Sequence, residues 1–157
     1  MLFRSIDVVK DREVIVRFRR ESYVVSFGNE EGFGEEDAYV NRIEERLSRF
    51  PDGLMLIESD GRIIGQIELQ ILHYEGDEIG YVNLFYLVPE CRGKGYGKGL
   101  LEYAENFFLK YNVREYHLRV SPTNERAVQF YLKSGMSKVK EERHQYVVWR
   151  MRKLLNT

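Results

Sequence analysis

The spacing of apolar side chains divides the chain into strand-like and helix-like stretches. Residues 2–9 (LFRSIDVV) alternate apolar and polar positions, as a half-buried strand does. From Asp11 to Phe27, the positions Val14, Ile15, Phe18, Ser22 and Val25 recur at helical spacing, and Asp11 is the candidate N-cap. Residues 27–37 (FGNEEGFGEED) are rich in glycine and acid and read as a loop long enough to cover something. A second helix is expected over 36–50, with Ala38, Val40, Ile43 and Leu47 as its buried stripe. Pro51-Asp52-Gly53 ends it.

The middle of the chain predicts sheet. Leu54 to Ser59 is a short apolar strand, and Asp60-Gly61 is a favoured hairpin turn. Arg62 to Tyr74 is its partner, with Ile63, Gly65, Ile67, Leu69 and Ile71 in alternation. Glu75-Gly76-Asp77 turns again, and Glu78 to Val88 completes an antiparallel meander. A helix over 95–111 would bury Tyr96, Leu100, Tyr103 or Ala104, Phe107 and Tyr111. The next strand, 115–121, must run parallel to its predecessor because a helix joins them. Pro122-Thr123-Asn124 opens a last helix that Gly135 ends, and strands near 136–142 and 145–151 close the chain. The fold class is therefore α/β of the mixed kind.

Composition narrows the class without naming a function. With 43% hydrophobic and 31% charged residues the chain reads as one ordinary globular domain over residues 1–157. A formal net charge of −1 gives no reason to expect a nucleic-acid partner. The single cysteine, Cys91, excludes an intramolecular disulfide and a cysteine-based zinc cluster, and it suits a reducing compartment. His73, His117 and His144 lack metal-ligand spacing, so no metal is expected. Charges throughout the first residues argue against a signal peptide or membrane span, and the expectation is a cytoplasmic protein with no membrane partner. A homodimer is allowed but not specified.

The chemistry concentrates in residues 84–101, LFYLVPECRGKGYGKGLL. An apolar strand passes through Arg92-Gly93-Lys94-Gly95-Tyr96-Gly97-Lys98-Gly99 into a helix. Such a turn aims backbone N–H groups and the positive end of the helix dipole at one point, which is an anion site suited to phosphate. The Walker pattern fails because Gly99, not Ser or Thr, follows Lys98. The dinucleotide fingerprint fails because the glycines alternate and the preceding strand ends a meander.

These residues resemble the acetyl-coenzyme A motif of the GNAT superfamily of N-acetyltransferases, with Val88, Pro89, Arg92, Gly95 and Gly97 at its positions. SPTNERAVQFYLKSGM, residues 121–136, is similar to that family's second signature through Asn124, Ala127, Phe130, Tyr131 and Gly135. The resemblance implies a mixed, mostly antiparallel sheet of about seven strands flanked by about four helices, with one parallel pair. It implies acetyl-coenzyme A as co-substrate and a primary amine as acceptor. The pyrophosphate would lie on N–H groups from Gly93 to Lys98, beside Arg92, and the pantetheine arm along Tyr86, Leu87 and Val88 as an added strand, with Asn124 as a further ligand. The strands ending at Val88 and Ser121 would splay to admit the thioester.

By the same resemblance Tyr131 is the general acid, since a phenol of pKa about 10 is matched to a thiolate of pKa about 8.5. The carbonyl would be polarised by an N–H at Val88 or its neighbour. No base is evident: the position used by some members is Arg119, and the nearest carboxylate is Glu68, which equally reads as a solvated strand residue. Cys91 reads as incidental. Glu30, Glu31, Glu35, Glu36 and Asp37 would favour a cationic acceptor if they stood at the mouth, and are otherwise a solvated loop. The alternative of another class is a non-catalytic module that binds coenzyme A.

Overall fold

In the computed structural model, which describes residues 1–155, the elements follow in the order expected. They are β1 (Leu2–Ser5), α1 (Arg12–Phe27), α2 (Glu36–Arg49), β2 (Leu54–Ser59), β3 (Arg62–Tyr74), β4 (Asp77–Leu87), α3 (Tyr96–Lys110), β5 (Glu115–Val120), α4 (Glu125–Lys133), β6 (Ser137–Arg143) and β7 (Val147–Leu154). Among the described residues the strands form one seven-stranded sheet, ordered β1-β2-β3-β4-β5-β7-β6. Only β4 and β5 are parallel neighbours, as the helix between them requires.

Two tight turns set the register of the meander. Asp60 and Gly61 have φ of 51° and 78°, and Glu75 and Gly76 have 49° and 88°. These are the left-handed pairs that suit two-residue hairpins. They pair Ser59 with Arg62 and Tyr74 with Asp77. The same register sets Gln66 opposite Tyr86 and Glu68 opposite Leu84.

Helices cover both faces. On one face Phe18 of α1 packs on Tyr86, ring centroids 4.6 Å apart, and Tyr39 of α2 reaches Glu68. On the other, Phe108 of α3 stacks on Tyr116 of β5 at 4.9 Å, and Phe130 of α4 lies against the start of α3 at Gly97. The alternation in β3 therefore misleads about burial: every residue from Ile64 to Gln70 is buried, including Gln66, Glu68 and Gln70. Alternation identifies the apolar face, but α1 and α2 close over the polar one.

Three smaller expectations are corrected. The first strand ends at Ser5, not Val9. Asp11 occupies the N-cap position of α1 without capping it. Its carboxylate accepts the Asp7 N–H at 2.8 Å and two bonds from the Arg4 guanidinium at 2.9 and 3.1 Å. In α2, Tyr39 is buried and Ala38 is exposed, because the helix turns its larger apolar side chain inward.

At Gly80 the sheet and α3 touch. A Cβ built there would stand 2.6 Å from Phe108 Cε1, and the Phe108 ring is fully buried. Gly80→Ala is expected to lower folding stability by about 1–3 kcal/mol, the cost of overpacking. Denaturant unfolding measures this, and an unchanged midpoint would show that Phe108 yields freely.

Candidate functional site

The parallel pair opens. β4 and β5 are in register only at Gly80–Tyr116, Tyr81–His117 and Val82–Leu118. Beyond these positions β4 continues on β3 alone and β5 on β7 alone. A cavity of about 400 Å³ fills the gap, with Asn83 and Phe85 from β4, Arg119 and Val120 from β5, and Asn124 and Tyr131 on its wall.

Hydrogen bonding decides which part of β4 faces this gap. The Val88 N–H donates to Ile64 O at 2.8 Å, so Val88 faces β3. Residues of an antiparallel pair alternate between bonded and non-bonded positions, so Tyr86 and Leu84 face β3 as well. Phe85 and Leu87 turn their backbone groups to the opening, and Asn83 is the extra residue of a bulge in the pairing with β3. Leu87 O is already taken by Arg92 Nε at 2.8 Å. Of the two alternatives for the free N–H, Val88 or its neighbour, the pairing leaves the neighbour, Leu87, with Phe85 beyond it. Tyr86 directs its side chain under α1, where burial raises its phenol pKa above the ordinary value and Glu21 adds to the effect.

The glycine turn sits at the end of this free edge. Gly93 and Gly95 have φ of 72° and 88°, a left-handed backbone that L side chains avoid. Gly95 is the N-cap of α3 and supplies no side-chain cap. Among the described residues, no backbone hydrogen bond outside the helices is donated by Gly93 through Lys98. Gly97 is small for a different reason: a Cβ would meet the Phe130 ring at 3.1 Å. Lys94 and Lys98 are exposed beside the turn. Arg92 is not free. Its guanidinium bonds Leu87 O and pairs with Glu21 at 2.9 Å, and its N–H donates to Pro89 O. Arg126 of α4, a cation absent from the sequence reading, also stands at the turn, its Nη1 3.8 Å from where a Gly93 Cβ would stand.

Across the opening, Tyr131 stands against Phe85, centroids 6.4 Å apart. Burial raises the pKa of its phenol above the ordinary value. Asn124 caps α4 through a long bond from the Ala127 N–H, 3.4 Å, and also lines the cavity. The structure thus brings Tyr131, Asn124 and the β4 edge to one opening, and the glycine turn follows the end of β4.

Glu68 is elsewhere. It is not on the cavity wall and is not solvated; it is 1% exposed. Its carboxylate accepts from Tyr39 Oη at 2.6 Å and Gln66 Nε2 at 3.0 Å, with Arg46 at 3.7 Å. Burial and the Glu68 charge raise the Tyr39 pKa well above its ordinary value, so the phenol remains a donor. The loop acids are also off the wall: Glu36 and Asp37 pair with Arg12, and Glu36 with Arg20 at 3.9 Å. Cys91 is buried. Among the described residues no cluster of His, Cys, Asp or Glu has the makings of a metal site, and no helix is long and apolar enough to cross a membrane.

A second polar chain lies behind the cavity wall and meets it through Arg119, which bonds Glu142. His117 Nε2 lies 2.6 Å from Glu115, and Arg150 donates to His117 Nδ1 at 2.8 Å, which places the ring proton on Nε2. Burial, aided by Arg150, lowers the His117 pKa against the pull of Glu115. Glu142 is held below the usual carboxylate value: burial opposes this, and hydrogen bonds from Arg119 and Arg150 outweigh it.

The sheet splays at its one parallel pair, and a glycine turn of the kind that binds anions opens the helix that follows β4. The chain belongs to the Acetyltransferase (GNAT) family, whose model matches residues 15–136. An uncharacterized N-acetyltransferase of Archaeoglobus fulgidus is 35% identical over 88 residues, 54% of this chain and 60% of that protein. A mycothiol acetyltransferase of Acidimicrobium ferrooxidans is 28% identical over 120 residues, 75% of this chain and 38% of that one. The matched stretches thus span less than two thirds of either relative. Among solved structures, the PaiA N-acetyltransferase of Thermoplasma acidophilum in complex with coenzyme A superposes with a TM-score of 0.76 over 98% of each chain, at 24% identity.

Proposed function

We propose that residues 1–157 act as a single domain that transfers the acetyl group of acetyl-coenzyme A directly to a primary amine. The observation that carries this reading is the edge of β4 at Phe85 and Leu87, which has no strand partner on the β5 side, with Phe85 sharing the cavity wall with Tyr131 and Asn124. Backbone N–H groups from Gly93 to Lys98, with Lys94, Lys98 and Arg126, would hold the pyrophosphate. Phe85 and Leu87 would bond the pantetheine amides as an added strand, and Asn124 would meet them from α4. Tyr86 and Val88 support that edge through β3, and Arg92 braces the turn through Leu87 and Glu21.

Acetyl-coenzyme A supplies an activated acetyl thioester. Overall, a C–N bond forms, the C–S bond breaks, the amine gives up a proton and the thiolate takes one. Tyr131 holds a proton on a phenol whose raised pKa keeps it neutral, and gives it to the leaving sulfur. A β4 N–H, from Phe85 or Leu87, polarises the carbonyl. Glu68 is withdrawn as base because its oxygens are enclosed by Tyr39, Gln66 and Arg46. The amine enters neutral and its proton leaves to solvent at the mouth. The lower limb of the pH profile of kcat/KM is therefore expected to move with the ammonium pKa of the acceptor. A limb fixed near pH 6–7 for every acceptor would instead point to an enzyme base.

Direct transfer predicts intersecting lines in two-substrate kinetics and an unmodified protein mass after exposure to acetyl-coenzyme A alone. Parallel lines with acetyl on Cys91 would contradict it. The absence of a carboxylate from the described cavity wall favours a second reading, a module that binds coenzyme A without turnover.

A further inference from the structure

We infer that the acceptor amine carries a carboxylate, held by Arg19 and Arg119 on the cavity wall. The inference rests on the acetyl-transfer reading of the same site and specifies its acceptor.

The charge on the wall carries the argument. Its charged or titratable side chains beyond the tyrosines are Arg19 from α1, Arg119 from β5 and His144 from the β6–β7 turn, with no Asp, Glu or Lys among the described residues. An ammonium-bearing acceptor would meet two guanidinium groups there, whereas an anion would be focused toward them.

Arg19 is half-buried, and its side-chain hydrogen bond is a long one to Ser22 Oγ, 3.5 Å. Its guanidinium lies 4.9 Å from the Tyr23 ring centre, and Tyr23 is also on the wall. Arg4, Arg12, Arg46 and Arg92 each have a carboxylate within ion-pair distance. Arg19 has none in the described structure. Glu68 behind it is the competing explanation, since its field favours the Arg19 charge. Glu68, however, is served at closer range by Tyr39, Gln66 and Arg46. Donors of Arg19 are left for something in the cavity.

Arg119 differs, because it already bonds Glu142 through Nε at 2.7 Å. That carboxylate is shared with Arg150 at 3.2 Å and Lys140 at 3.9 Å, so the cluster keeps a surplus of positive charge. The bond to Glu142 also fixes the guanidinium plane beside the Tyr81 ring, 5.9 Å away, which presents a preset fork to a carboxylate.

The test uses the full chain, acetyl-coenzyme A and a ladder of ω-amino acids of increasing length, each measured against its own primary amide and against the diamine of the same length. At the best length, kcat/KM for the amino acid is expected to exceed that for the amide by about 10- to 100-fold, the range for hydrogen bonds to a charged group. Arg119→Gln and Arg19→Gln should each move that ratio toward one, and Arg119→Lys should restore part of it. Acetyl-coenzyme A affinity reports whether each variant is folded, and either variant alone suffices. Amides or diamines acetylated as well as the amino acids, or a ratio that neither glutamine variant changes, would overturn the carboxylate inference and leave acetyl transfer standing. Binding of acetyl-coenzyme A with no transfer to any amine would remove both.

Discussion

Tyr131→Phe is expected to lower kcat by about 10²- to 10⁴-fold, the range in which a positioned general acid acts. Acetyl-coenzyme A affinity should change little. The substitution removes one oxygen and keeps the ring that packs on Phe85 and Phe130. Among the described residues the Tyr131 hydroxyl makes no hydrogen bond to another side chain, so stability should be nearly unchanged. Burial raises the phenol pKa, so the group is neutral and able to donate below its shifted value, and no loss of rate from its ionisation is expected near neutrality. Pre-steady-state measurement of thiol release isolates this step. An unchanged kcat would remove Tyr131 from the chemistry.

Gly95→Val has the second large effect, on binding. With φ of 88° at Gly95, an L residue costs about 1–2 kcal/mol there, and a β-branched one more. No atom lies within 4 Å of the new Cβ, so the strain cannot be attributed to a clash. It is relieved by turning the backbone, which disperses the N–H groups that begin α3. Loss of two charge-assisted hydrogen bonds should raise the Kd for coenzyme A by about 100-fold or more, with the fold retained. Calorimetric titration decides it, and a normal affinity would mean that the turn does not hold the phosphates.

The order of elements and the parallel pair were legible in the sequence because they follow from periodicity and from the helix between Val88 and Glu115. Asn124 and Tyr131 were legible as a motif, and the structure brings both to the opening. What stayed hidden depends on pairing and on distant neighbours. Whether Val88 or Leu87 faces the gap is a matter of register, and a shift of one residue reverses it. The burial of Glu68 needs α1 and α2 folded over β3, which no local alternation encodes. Arg126 follows Asn124 by two residues and reads as a surface helix position until α4 brings it to Gly93. The loop acids read either as a mouth or as a solvated loop, and Arg12 and Arg20 draw Glu36 and Asp37 aside.

A single-turnover experiment tests the central claim most directly. The protein, in excess over acetyl-coenzyme A and concentrated enough to bind all of it, is mixed with a panel of primary amines. The account predicts that free coenzyme A thiol and N-acetylated amine appear together and in equal amount, with no thiol release when amine is omitted. Complete binding of the acetyl-coenzyme A followed by no acetylated product from any amine in the panel would contradict it.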